Sequence, residues 1–350
     1  MNKNYMYSLI MIVIMFFFSY VGAQELNLQF LFGIVIPYLS FLIFIYGVSI
    51  RILDWSRSDV PFRITTTCGQ QRSLPWIKYN KIENPTNNFM VLIRVLLEIF
   101  CFRSLFRNTR FKFTKNLRIT YNLEIFLWLS ALAFHYSFFV VLFRHLRFFT
   151  EPTLFLVKLL ERVDSFFRIE ISYDFIQFAL PGVFLSGIVL LISVFYLFLR
   201  RVLNSQVRYI SLFSDFFPLF LIMGIAFTGI LMRYFSKVDI ISVKELIISL
   251  VTFRPIIPEN IGGIFYSHLF FVCILLAYFP FSKLMHSMGI IFSPTRNMTG
   301  NTREVRHINP WNYPVKVHTY QEYEDHFREK MINAGVPIES DLEKQSSGKE

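Results

Sequence analysis

Six stretches of this chain are apolar for long enough to cross a lipid bilayer, near 6–23, 28–51, 123–148, 174–200, 210–234 and 261–290. Crossing about 30 Å of hydrocarbon takes roughly 20 apolar residues in a helix, and inside that layer every backbone N–H and C=O must be bonded within the segment. The pattern therefore dictates an all-α, polytopic membrane helical bundle, with five core spans and an N-terminal hydrophobic segment. Composition agrees where it discriminates: 54% of the 350 residues are hydrophobic, 17% are charged, 43 are Phe and the mean hydropathy is +0.47. No soluble core of this size hides that much apolar surface, which excludes a mainly soluble enzyme. Cys68, Cys101 and Cys273 are too far apart for any C-x-x-C pair, so disulfide scaffolds, zinc knuckles, cysteine-held iron–sulfur clusters and covalently attached haem are excluded within the chain.

The segment 1–23 is either a signal-like segment or the first span. It carries Lys3, an apolar run and then Val21-Gly22-Ala23, the small-residue pattern of a cleavage site. Both readings leave Gln24 outside. Residues 24–292 then form the membrane domain, with a cytoplasmic loop at 52–118, and 293–350 form a cytoplasmic tail. Orientation follows from Lys and Arg. The stretch 51–118 holds 13 basic and 4 acidic residues and 200–208 holds three basic and none acidic, whereas 147–173 and 235–260 are balanced at 4 and 4 and at 3 and 3. Basic loops stay inside, so the net charge of +11 is a topological signal of a multi-pass protein of the cell inner (cytoplasmic) membrane, and no nucleic-acid partner is expected. The apolar stretch Asn88–Phe102 contains Arg94 and Glu98, and a crossing there would invert every later loop. It reads as an interfacial or partner-covered helix on the cytoplasmic side.

Four of the seven histidines, His135, His145, His268 and His286, fall within or at the ends of two spans. A lone histidine at such depth reads as an interhelical hydrogen-bond donor or a proton-relay member. These four come as pairs. His135 and His145 are ten residues apart, a rise of about 15 Å; His268 and His286 are eighteen apart, about 27 Å and five full turns if the span is one helix. The charge count makes the two spans antiparallel, so His135 faces His286 on the cytoplasmic half and His145 faces His268 on the outer half. That arrangement would hold two bis-histidine haems stacked across the membrane. The mismatch of 15 against 27 Å has to be absorbed by tilt and ring direction. Arg144 and Arg147 flank His145 and Lys283 precedes His286, so these cations stand either where haem propionates would emerge or as snorkelling charges at helix ends. Phe134, Tyr136, Phe138 and Phe139 line a haem or face lipid.

The ten- and eighteen-residue histidine spacing resembles the gamma subunit family of respiratory nitrate reductase, the cytochrome b quinol oxidases. In the loops, Pro61-Phe62-Arg63-Ile64-Thr65-Thr66-Thr67-Cys68-Gly69-Gln70-Gln71, Ser73-Leu74-Pro75-Trp76-Ile77-Lys78, Arg103-Ser104-Leu105-Phe106-Arg107-Asn108-Thr109 and Asn309-Pro310-Trp311-Asn312-Tyr313-Pro314-Val315-Lys316-Val317-His318-Thr319-Tyr320 are similar to the DsrM-type cytochromes b. These are the membrane subunits of the sulfite-reductase-linked DsrMKJOP complexes, and the likeness covers nearly the whole chain. It implies two haem b groups, ligated by His135 and His286 on the cytoplasmic side and by His145 and His268 on the outer side. It also implies oxidation of menaquinol and passage of electrons to a DsrK-like cytoplasmic iron–sulfur subunit that resembles heterodisulfide reductase.

Three function classes fit these features: an electron-transfer subunit of a menaquinol-oxidising oxidoreductase complex, a proton-coupled transporter with intramembrane histidines, and a structural anchor. Proton paths usually use carboxylates, and the histidine spans hold none deep inside, with Glu124 near one inner end. A quinol site near the outer haem would draw on Arg147, Lys158 and Arg162, whose plainer reading is a solvated face. A docking surface for the iron–sulfur partner is expected from 54–86, with Trp55, Pro61, Pro75, Trp76 and Pro85, and from the tail, with Trp311, Tyr313 and Pro314, unless these segments fold on each other. Thr319 and Glu322 form a capping box and Gly335 precedes Pro337, which predicts a helix over 320–334.

Overall fold

Long apolar runs without an internal breaker become helices, and six of them are long and apolar enough to cross a membrane: Asn4–Gln24, Leu31–Arg57, Ile125–Phe148, Leu185–Leu203, Phe213–Phe235 and Gly263–Phe281. The protein is a multi-pass all-α membrane bundle. Its computed structural model describes residues 3–58, 70–113, 119–166, 169–173, 176–180, 183–292, 297–300 and 318–338. The motif over 61–69 and the tail residues Trp311, Tyr313 and Pro314 lie outside the described residues, as do His307 and the tail after 338.

In chain order, α1 is Asn4–Gln24 and α2 is Ile36–Arg57, entered through a π-helical turn at Leu31–Val35. Then come α3 (Asn88–Cys101), the short α4 (Arg103–Phe106) and the hairpin β1 (Thr109–Phe113) and β2 (Ile119–Leu123). The next span, α5, is Ile125–His145, followed by the short helix α6 (Phe155–Asp164). Strands β3 (Ser165–Phe166) and β4 (Ile169–Tyr173) pair with β6 (Val183–Phe184) and β5 (Ile176–Leu180). The remaining helices are α7 (Leu185–Leu203), α8 (Ser205–Ile210), α9 (Phe213–Ile230), α10 (Ile240–Val251), α11 (Gly263–Tyr278), α12 (His286–Phe292) and a tail helix, Tyr320–Asn333.

Helix α11 sits inside, packed by α1, α2 and α9, while α5 packs chiefly on α7, which in turn packs on α9. The core between them is aromatic, with Phe32, Phe216, Phe265, Tyr266, Phe270 and Phe271 buried in one cluster. The N-terminal segment is part of this packing: Ser19 Oγ donates to Ser267 Oγ at 3.1 Å, and Gly263 N–H donates to Gln24 Oε1 at 3.0 Å. At the opposite end of the bundle Arg200 pairs with Glu124 at 2.5 Å and Asn4 Nδ2 donates to the Ser211 carbonyl at 3.3 Å. The six spans thus alternate in direction.

Two spans differ from the sequence reading. The fourth helix starts at Leu185 rather than near 174, because 176–180 and 183–184 pair as strands. Pro181-Gly182 supplies the helix-breaking sequence between them. The sixth stretch is not one helix. After Tyr278 the chain passes through two 3₁₀ turns, Phe279–Phe281 and Lys283–Met285, with Ser282 extended between them at φ −119° and ψ 175°. Pro280 has no N–H to continue the ladder. Its ring is buried against α2, where a Cβ on Gly47 would stand 2.6 Å from Pro280 Cβ, so only glycine allows this approach. His268 and His286 therefore ride on separate helices, and the 27 Å separation calculated for one continuous helix does not apply.

The helix predicted over Asn88–Phe102 is α3, capped by Asn87 and ended by Phe102 in the left-handed region at φ 46°. The tail helix carries the predicted capping box, Thr319 Oγ1 accepting from Glu322 N–H. Loop and tail also meet, where Gly300 N–H donates to the Pro85 carbonyl at 2.5 Å.

Candidate functional site

The break after Tyr278 decides the geometry of the site, because it lets two histidines eighteen residues apart meet two that are ten apart. His145 ends α5 and His268 lies in the second turn of α11; their ring centroids are 6.4 Å apart and their planes differ by 15°. His135, in the middle of α5, faces His286 at the start of α12, with centroids 6.0 Å apart and planes at 84°. The rings thus meet across the bundle, from α5 to the start of α11 in one pair and from α5 to the start of α12 in the other.

Every one of the four imidazoles has its Nδ1 engaged. His135 Nδ1 is 2.7 Å from the Ala131 carbonyl, His145 Nδ1 is 2.6 Å from that of Val141 and His286 Nδ1 is 2.8 Å from that of Lys283. Carbonyls only accept, so each Nδ1 carries the proton and each Nε2 is left as a free electron pair. His268 Nδ1 instead meets Thr228 Oγ1 of α9 at 2.9 Å. A neutral imidazole fixed through Nδ1 and open at Nε2 is the state a metal ligand needs.

The spacing also fits. A metal–imidazole bond is about 2 Å and the ring centroid lies about 1 Å behind the nitrogen, so two imidazoles sharing one metal hold their centroids about 6 Å apart. Among the described residues no group of three or more His, Cys, Asp or Glu gathers to hold a bare metal ion. Two imidazoles alone suit an iron that brings its own equatorial ring, as haem does.

The cations next to the histidines have carboxylate partners that the sequence reading did not anticipate. Arg144 Nη1 lies 2.9 Å from Asp164 Oδ2, Arg147 Nη1 lies 2.8 Å from Glu161 and Lys283 Nζ lies 2.6 Å from Asp215. Asp164 also accepts from Ser186 N–H and Oγ, so α6 is strapped across the ends of α5 and α7. Arg144 stacks on the Phe184 ring at 3.7 Å, shared with Arg233 at 3.9 Å, and its buried Nε has no hydrogen-bond partner among the described residues. A donor left free beside His145 suits an acceptor such as a propionate carboxylate. Lys158 and Arg162 are exposed on α6 and make no ion pair among the described residues.

Of the aromatic residues near His135, the Phe134 ring lies 4.9 Å away and Phe102, at the end of α3, lies 4.7 Å away. Phe138 packs with Val141, Met223 and Leu275 around Leu190, Val194, Ile222 and Ala226, an apolar layer between the two histidine pairs. Tyr136 donates to the Phe100 carbonyl and Trp128 to that of Cys101, both at 2.8 Å, which closes the end of α3. Phe139 is exposed.

Residues 87–306, which include all four histidines, match the nitrate reductase gamma subunit family. The chain is 43% identical over 289 residues to the Hdr-like menaquinol oxidoreductase cytochrome b-like subunit of Archaeoglobus fulgidus, covering 81% of this chain and 83% of that one. It is 42% identical over 286 residues to the subunit of the same name from Archaeoglobus profundus, covering 79% and 81%.

Proposed function

The chain belongs to the nitrate reductase gamma subunit family, and from that premise we propose that it is a dihaem b-type cytochrome carrying electrons between menaquinol and a cytoplasmic iron–sulfur partner. The observation that carries the reading is the pairing of four Nδ1-anchored imidazoles at 6.0 and 6.4 Å. Haem, when bound, supplies a one-electron carrier. His145 and His268 would hold one and His135 and His286 the other, with the anchored Nδ1 atoms orienting the rings. The apolar layer around Phe138, Met223 and Leu275 excludes water between the two sites. Arg144 offers its free Nε to a propionate at the His145 end, and Lys283 stands at the His286 end.

The relatives are named menaquinol oxidoreductase subunits, which supports menaquinol as the reductant. Quinol is met at the His145 end, where Arg147 stands two residues beyond the histidine. In this reading Lys158 and Arg162 flank the apolar stripe Phe155, Leu159 and Val163 of α6 at the lipid surface. The relatives' Hdr-like designation agrees with a heterodisulfide-reductase-like, DsrK-type partner in a DsrMKJOP-type complex of dissimilatory sulfur metabolism. That partner docks at the His286 end in the cell inner membrane, where loop and tail meet at Pro85 and Gly300 and Trp76 is exposed. A reduced-minus-oxidised optical spectrum with a haem assay tests the reading. Two b-type haems per chain are expected, and a purified, folded chain with none refutes it.

A further inference from the structure

Three of the four histidines anchor Nδ1 on a main-chain carbonyl, an acceptor that no substitution removes. His268 differs, because its partner is a side chain on another helix. Thr228 Oγ1 lies 2.8 Å from the Gly224 carbonyl and 3.1 Å from that of Ile225. A hydroxyl has one proton, which goes to its own helix, so towards His268 it accepts. The contact is enclosed: Thr228 is 2% exposed and His268 9%. Next to it, Gly229 keeps the surface of α9 low, since even a Cβ there would stand 3.4 Å from His268 Cε1.

We propose that Thr228 is a positioning residue which, through its hydroxyl, fixes the ring orientation and electron-donating strength of His268 and so sets the redox potential at the His145–His268 site. This rests on the reading of that pair as axial haem ligands. An imidazole that shares its Nδ1 proton with an acceptor is more basic at Nε2, which favours the oxidised metal and lowers the potential. Thr228 is then a side chain through which one of the two sites is adjusted while the other is left alone.

The test compares Thr228→Val and Thr228→Ser in the full chain, by potentiometric titration and low-temperature electron paramagnetic resonance. Valine keeps nearly the same volume but removes the hydroxyl that accepts from Nδ1–H; serine keeps that acceptor. The expected result is an upward shift in the potential of the His145–His268 haem in Thr228→Val, with a changed resonance signal, while the other haem stays at its wild-type potential and Thr228→Ser stays near wild type in both. Loss of that one haem in the valine variant with retention in the serine variant supports the same role. An unchanged potential in Thr228→Val, or an equal shift or loss in Thr228→Ser, overturns it. Wild-type protein without haem would instead refute the underlying reading.

Discussion

The imidazoles of His145 and His268 lie within 15° of parallel with their centroids 6.4 Å apart, whereas those of His135 and His286 meet at 84°. If each pair ligates one iron, near-parallel imidazoles would split its orbitals and near-perpendicular ones would leave them nearly degenerate. Two distinct low-spin ferric signals are therefore expected: a rhombic one lost in His145 or His268 variants, and a more anisotropic one lost in His135 or His286 variants. Electron paramagnetic resonance of the oxidised protein checks this, and two signals of the same type would contradict the ring geometry.

A second expectation concerns the break in the sixth span. Gly47→Val inserts a side chain where even a Cβ would lie 2.6 Å from Pro280. Overpacking of this kind costs about 1 to 3 kcal/mol. The cost falls on the turn that aims His286 at His135, so thermal release of haem should begin at that pair and leave the His145–His268 haem bound. Release of both together in a melt monitored at the two signals would argue against a local role for the turn.

The elements show why hydropathy read the spans well and their ends poorly. Phe279 and Phe281 keep the run apolar on both sides of Pro280, so length and composition alone merge α11 with α12. Ile176–Leu180 is as apolar as a helix end yet forms a strand, an ambiguity that short apolar runs carry. The four histidines were legible because an ionisable group in an apolar run stands out. Asp164, Asp215 and Thr228 were not. The carboxylates meet Arg144 and Lys283 only through the fold, and a threonine within a span ordinarily bonds its own helix.

Topology gives a third expectation. The ends of the bundle segregate Glu124, Arg200 and Asp215 from Gln24, His145 and Gly263, in step with the basic loops. Reporter fusions at Ser211 and Gly348 should read cytoplasmic and one after Lys244 should read outer. A cytoplasmic signal at Lys244 would invert the depths assigned to the two histidine pairs.

A fourth expectation rests on the contact between Pro85 and Gly300. Truncation after Ser293 removes the tail's half of this surface but no histidine of either pair. The variant should keep both haems, reduce them with menaquinol at near wild-type rates and lose co-purification with the iron–sulfur partner. Full-rate transfer to that partner would place the docking surface elsewhere.

The pairing itself is tested most directly by counting haems, with their potentials, in the four variants His135→Ala, His145→Ala, His268→Ala and His286→Ala. His145→Ala and His268→Ala should lose one and the same haem, and His135→Ala and His286→Ala the other, each retaining the remaining haem near its wild-type potential. If His145→Ala and His286→Ala remove the same haem, or if any single variant leaves both haems in place, the two-pair arrangement is wrong.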